Sequence, residues 1–353
     1  MTTATPAGPS PVDLRNPAQL LAALPYLIGF RPAKSAVLLG HLPPGHRPGL
    51  VLRGDLPRRE HRAYQARALA AKFAAGEHTG VTVVLVGGRR RPGKPPPHAG
   101  FVGDLADALG DFGLPVVHAL WTPAITAGAP WACYRVEECG GELPDPRSTI
   151  VAAVATEGGT VAFDSREELA ALLSPRCPEA VARRADLLAG RRSAPGATAV
   201  SAAASAVRSA FDRQRRGDGP PTDEEAVGLA SALELPEIRD LCLAMAVPPG
   251  TTSAREAERL WLTLVRELPP PERAEPATLL AFTAYLRGDG TFAGMALDNA
   301  LEAAPGHLLA SLLRRVLDRG TPPQVIRGLA AAAADPLSNF GLAPADFDAD
   351  QAV

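Results

Sequence analysis

Apolar residues fall into two regimes along this chain. In the first half they form short unbroken runs, Ser35 to Gly40, Gly49 to Gly54 and Val81 to Val86. Such runs predict strands, and the β-branched run 81–86, with no polar alternation, predicts a central strand covered on both faces. The Pro/Gly turn between the first two runs predicts that they pair. Between these runs the spacing lengthens: Tyr64, Leu69 and Phe73 among alanines predict a helix over 58–75, a second helix covers about 98–109, and a strand follows at 114–121. This strand and helix order predicts an α/β domain with a mixed, mostly parallel sheet, flanking helices and right-handed crossovers. Trp131 to Val136 reads as a short edge strand.

Polar punctuation marks the helix starts. Asn16 with Pro17 and Gln19 has the form of a capping box ahead of Leu20, Leu21 and Leu24, and Pro25 predicts a kink or restart before Gly29. Pro144 and Pro146 break the chain before an Ala/Val-rich helix over 148–156, and Ser165 with Glu168 starts another. Beyond Gly219 strand signals vanish. Thr222, Ser253 and Thr321 each precede an acid or amide by three residues and so predict helix starts. After Ser253, Ala257, Leu260, Trp261, Leu264, Val265 and Leu268 form one amphipathic stripe. Further helices are expected around 236–246, 276–287, 291–304 and 307–319. Counting back from Pro305 in a tetratricopeptide register puts Leu280, Ala281, Ala293, Leu297 and Ala300 where two antiparallel helices approach closely. Tyr285 sits one residue off the aromatic position, only one such unit is legible, and the same spacing also serves an ordinary helical bundle. The expected organisation is a disordered leader over 1–15, an α/β domain over 16–174, a helical connector over 175–219, an all-α domain of tetratricopeptide-like hairpins over 220–336 and a disordered acidic tail over 337–353.

Composition alters this picture in few places. Pro (36) and Gly (33) are frequent in the 353 residues, but 46 % hydrophobic content supports folded cores rather than disorder. Lys occurs only at Lys34, Lys72 and Lys94, so 33 of the 36 basic residues are Arg, a bias that fits a GC-rich genome. A net charge of -2 supplies no field for a polyanion, which argues against nucleic-acid binding. The first apolar run, Leu20 to Phe30, is too short to span a bilayer, and the N-terminus lacks a basic signal region. Four sparse cysteines suit a reducing cytoplasm.

Candidate chemistry is thin. Gly88 to Lys94 matches part of a phosphate-binding loop after a strand, but Pro95 stands where a metal-binding hydroxyl is needed. The run retains Arg89, Arg90, Arg91 and Lys94 as a candidate contact for an anionic partner, beside the plainer reading of a solvated loop. Cys133 and Cys139 are spaced too widely for an ordinary zinc knuckle and lack further ligands, so no metal is expected there; a thiol switch and two plain packed thiols both remain open. Trp131 and Tyr134 beside them could line a pocket or pack the sheet edge. Ser35, Arg53 and Asp55 are the best polar candidates for a ligand site, because ligands of such sheets favour strand ends. The alternative is a surface ion pair ahead of Pro57. No nucleophile elbow, zinc-binding HExxH or dinucleotide fingerprint occurs, and no cofactor is expected.

Several segments together carry a family resemblance: Leu20 to Pro32 leading to Ser35, Arg53 to Pro57, Trp131 to Tyr134 with Cys139, Leu143 to Pro146, Ser165 to Leu169, and Leu286 to Gly290 with Ala296, Leu297 and Pro305. With them the chain resembles a largely actinobacterial domain-of-unknown-function family, numbered 4192. The resemblance implies a bacterial, cytoplasmic protein kept intact from the α/β part to the helical part, and it assigns no catalytic residue. The leading expectation is a noncatalytic interaction or regulatory protein whose helical domain binds a protein partner. The alternative is a small-ligand-binding or enzymatic α/β domain with its site near Ser35, Arg53 and Asp55.

Overall fold

The computed structural model describes residues 15–43, 47–74, 76–157, 161–192 and 200–334. The expected leader, apart from Arg15, and the expected tail lie outside the described residues. The chain divides into two compact units, residues 2–169 with 318–321 and residues 170–317 with 322–353.

The first unit contains α1 (Pro17–Ile28), β1 (Ser35–Leu42), β2 (Arg47–Asp55), α2 (Arg62–Ala74), β3 (Gly80–Val86), α3 (Ala99–Gly110), β4 (Val116–Thr122), β5 (Pro130–Cys133), β6 (Gly140–Glu142) and α4 (Ile150–Glu157); α5 (Arg166–Ala171) follows at the junction. The strands form one mixed sheet in the order β2-β1-β3-β4-β5-β6. The expectation of a mostly parallel sheet is corrected here: only β3 and β4 pair in parallel, and the other four pairings are antiparallel. The cause lies in the first hairpin. β1 inserts between β2 and β3 and runs against both, so the α2 crossover links two strands of the same direction that do not touch.

Alternation across the sheet fills two cores. Ala36, Leu38, Val81, Val83 and Leu85 face Phe73 of α2 and Phe101 and Leu105 of α3. Val37, Leu39, Val84 and Val86 face Leu20, Leu21 and Leu24 of α1. β3 is buried along its whole length, as a strand covered on both faces must be. α1 starts on the Asn16 cap, whose side chain accepts from the Gln19 amide at 3.2 Å. It then runs without restart through a buried Pro25. The helix continues because the lost amide bond falls near its end, while buried residues on both sides of Pro25 hold it to the sheet. The expected edge strand at 131–136 is shorter, and a further strand, β6, extends the sheet beyond it.

The second unit is helical: α6 (Pro178–Arg192), α7 (Val200–Arg216), α8 (Asp223–Leu233), α9 (Pro236–Ala244), α10 (Thr252–Glu267), α11 (Ala274–Leu286), α12 (Gly290–Ala303), α13 (Leu308–Asp318) and α14 (Pro323–Ala334). The stretch read as a connector, 175–219, carries α6 and α7, and α7 buries Ala203, Ala204, Val207 and Phe211. Thr222 makes the reciprocal capping box with Glu225. The start expected at Ser253 is displaced: the Thr251 hydroxyl caps the Ala254 amide at 3.2 Å, and Ser253 is buried in the first turn. The stripe of α10 is buried in full, with Trp261 edge-on to Phe211 at 6.1 Å. α11 is buried on nearly every side, which suits its uniformly apolar sequence. Leu280 and Ala281 of α11 and Ala293, Leu297 and Ala300 of α12 are all buried.

A polar network ties three of these helices. The Arg184 guanidinium, almost wholly buried, donates to the Asp223 carboxylate at 2.9 Å, to the Glu267 carboxylate and backbone, and to the Pro221 carbonyl at 3.2 Å. Glu267 is equally buried, so the pair is shielded from solvent.

Candidate functional site

The register of β1 decides which polar residues meet. Ser35 lies opposite Asp55 on one side and Val86 on the other, and Val37 lies opposite Arg53. One rim of the sheet therefore collects the start of β1, the end of β2 and the ends of the parallel pair β3 and β4. Arg53 donates from Nε to Ser35 Oγ at 2.9 Å and from Nη2 to Asp55 Oδ1 at 2.7 Å. Ser35 Oγ donates in turn to the Ala33 carbonyl at 2.7 Å. With its proton directed to a backbone oxygen, Ser35 is hydrogen-bonded to no side-chain base among the described residues. Gln65 of α2 fixes the Asp55 carbonyl at 2.7 Å.

Backbone strain concentrates at the same rim. Lys34 adopts a left-handed φ of 47°, and Gly87 has φ 117° where a Cβ would come within 3.2 Å of the Lys34 Cα. Gly87 is held from both sides, its amide on the Thr122 carbonyl at 2.9 Å and its carbonyl on Trp121 Nε1 at 2.7 Å. Only glycine fits there without displacing β1.

Residues that sequence reasoning had not singled out complete the rim. The Arg53 guanidinium sits 5.9 Å from the centre of the Phe30 ring. Phe30 forms a parallel bridge with Phe163, and Arg31 pairs with Asp164 at 3.0 Å while its Nε is buried without a hydrogen-bond partner among the described residues. The segments Leu20 to Pro32, Arg53 to Pro57 and Ser165 to Leu169 thus come together here; Gly29 lies against the Leu169 side chain. His98, at the N-cap of α3 with φ 67°, places its ring beside Gly88, and burial lowers its pKa.

The other sequence candidates lie apart from this cluster. Trp131 packs on the α1 side of the sheet, whereas Tyr134 packs on the α2/α3 side. The two aromatics therefore do not line one pocket. β5 is also separated from β2 by three intervening strands, β1, β3 and β4. Tyr134 donates its hydroxyl to the Pro97 carbonyl at 2.5 Å, and burial pushes its phenol well above the usual range. Arg89, Arg90, Arg91 and Lys94 are exposed on the loop between β3 and α3, with Arg90 Nε donating to the Lys94 carbonyl at 3.4 Å. Cys133 and Cys139 face each other at the turn between β5 and β6, the Cys133 amide donating to the Cys139 carbonyl at 2.9 Å. Among the described residues no group of three or more His, Cys, Asp or Glu side chains is placed to hold a metal ion. Nor is any helix among them long and apolar enough to cross a membrane.

Comparison with known proteins gives a family and nothing finer. No curated protein and no solved structure matches the chain. The model of one family, described as a domain of unknown function (DUF4192), matches residues 17–324 and so takes in the sheet, its rim and most of the helical unit. The chain belongs to the DUF4192 family.

Proposed function

We propose that the protein is a noncatalytic interaction protein whose helical unit receives a protein partner on one face of α13. The observation that carries this reading is the exposure of Leu308 (71 %) and Leu312 (42 %), one turn apart on that helix. Ala310 and Leu313 of the same helix are buried, so α13 has one face in the core of its unit and a second apolar face outside it. Arg315, three residues beyond Leu312, is exposed as well. Two leucines beside a cation suit a partner segment that is amphipathic with an acidic edge. The burial of Leu280, Ala281, Ala293, Leu297 and Ala300 supports a tetratricopeptide-like hairpin behind this face. The sparse cysteines support a cytoplasmic location.

The test is a comparison of baits. Wild-type protein and a Leu308→Glu/Leu312→Glu variant of unchanged circular dichroism are used to capture partners, and any protein held by the first is purified and titrated against both. Loss of binding by the variant is expected; equal binding by both would overturn the reading.

A second reading, a small anionic ligand at the sheet rim, is favoured by the buried Nε of Arg31, which has no partner among the described residues, beside the Arg53 cluster. A thermal-shift screen of carboxylates and phosphates reads it directly. A ligand at 100 times its dissociation constant stabilises the protein by about 2.7 kcal/mol. A shift lost in Arg53→Ala would establish the site, and a screen without any shift would end it.

A further inference from the structure

β5 and β6 pair antiparallel with Trp131 opposite Gly141 and Ala132 opposite Gly140. The next pair outward is Cys133 with Cys139. The ladder continues through it, since the Cys133 amide donates to the Cys139 carbonyl at 2.9 Å, and the Cys139 amide closes the turn on the Val136 carbonyl at 3.2 Å. Directly opposed residues of an antiparallel pair have Cα atoms roughly 4.5–5.5 Å apart. That range lies within the roughly 4.4–6.8 Å that a disulfide requires. Both residues are partly exposed at the outer edge of the sheet. Four exposed residues, Arg135 to Glu138, lie in the intervening turn, while Cys133 also borders the α1-side core.

We propose that Cys133 and Cys139 are a reversible redox modification site, a dithiol that hydroperoxides convert to an intramolecular disulfide. One thiolate attacks a peroxide oxygen; the O–O bond breaks, the leaving oxygen departs as water after protonation, and the sulfur becomes a sulfenic acid. The facing thiolate then attacks that sulfur, the S–S bond forms and the hydroxyl leaves as a second water. Two thiols and one hydrogen peroxide thus give one disulfide and two waters, the sulfurs losing the two electrons that the peroxide gains. A low-molecular-weight thiol reverses the change by exchange through a mixed disulfide. Burial first, and the neighbouring Cys133 second, raise the pKa of Cys139, which keeps that thiol protonated near neutral pH and makes its oxidation faster as pH rises. The other two cysteines serve as internal controls: Cys177 is exposed with its thiol on the Glu179 carboxylate, and Cys242 is buried.

The experiment uses the reduced full-length protein, stoichiometric hydrogen peroxide, and alkylation followed by tryptic mapping. Trypsin cuts after Arg135, so the two cysteines fall in different peptides and a bond between them yields a linked pair. The expected result is that linked pair, a mass lower by about 2 Da before alkylation, and recovery of both free thiols after addition of glutathione. Cys133→Ser and Cys139→Ser should each leave the remaining thiol free or as a trappable sulfenic acid, without a linked pair. The proposal is overturned if both thiols stay alkylatable while Cys177 is consumed, or if oxidation runs to sulfinic acid that glutathione does not reverse.

Discussion

Arg184 in the helical unit and Arg53 at the rim of the sheet each hold a carboxylate, but under opposite solvation. The partner of Arg184, Glu267, has 4 % of its side chain exposed, whereas the partner of Arg53, Asp55, has 80 %. In the first case neither charge can return to water if the other is removed, so the pair is a fixed part of the helical core. In the second, water screens the attraction and the pair contributes little to stability. The comparison separates polar residues that the fold consumes from polar residues that it leaves available.

The largest expected effect is on the buried side. Arg184→Met strands the Glu267 carboxylate and should cost about 3–5 kcal/mol in chemical denaturation, whereas Arg184→Met/Glu267→Leu should recover most of that loss. A single variant as stable as wild type would break the contrast.

Position, rather than unit, is what matters, and the His78 site sharpens that point because it lies in the same unit as Arg53. His78 fills the space left by Gly40, where a Cβ would come within 2.3 Å of the His78 ring. Gly40→Ala should therefore cost about 1–3 kcal/mol through overpacking, measured by urea unfolding. The ring lies 3.1 Å from the Phe73 carbonyl at Nδ1 and receives the Leu50 amide at Nε2 at 3.4 Å, so the neutral form satisfies both neighbours.

Burial lowers the pKa of His78 below its ordinary 6.5 despite the opposing Phe73 bond. The unfolded chain then binds more protons than the folded one below that value, so stability holds above about pH 6.5 and falls as pH drops toward the depressed folded value. His98 is lowered in the same direction, and comparing urea midpoints of wild type and His78→Gln at pH 7 and pH 5 isolates the His78 share. An unchanged pH slope in the variant would remove His78 from this account. At the small end, Arg53→Ala should change stability by less than about 1 kcal/mol in thermal unfolding. A larger loss would mean that the rim cluster is structural cement.

What the sequence disclosed follows the range of the interactions. Helix starts at Asn16 and Thr222 depend on residues three apart, and the stripe of α10 on neighbouring turns, so all were legible. Ser35, Arg53 and Asp55 were also legible as a group, because they sit on adjacent strands of one hairpin. Phe163 and Asp164 were not, since their bonds to Phe30 and Arg31 span more than a hundred residues and leave no local pattern. β6 was hidden for another reason: Gly140, Gly141 and Glu142 are exposed and carry none of the branched side chains that mark a strand. The strand directions failed because the order strand, helix, strand says nothing of a third strand inserted between the two. On α13 the leucine spacing predicts a helix, but which leucines are buried and which are exposed depends on the packing around it.

The central claim, that the outer face of α13 receives a protein partner, is tested most directly by photo-crosslinking in living cells. A photoreactive amino acid is placed singly at Leu308, at Leu312 and at Tyr64, the last being 80 % exposed on α2 of the other unit. The account predicts one discrete adduct of the same mass from both α13 positions and none of that mass from Tyr64. Absence of an adduct at Leu308 and Leu312, or the same adducts at all three positions, would contradict it.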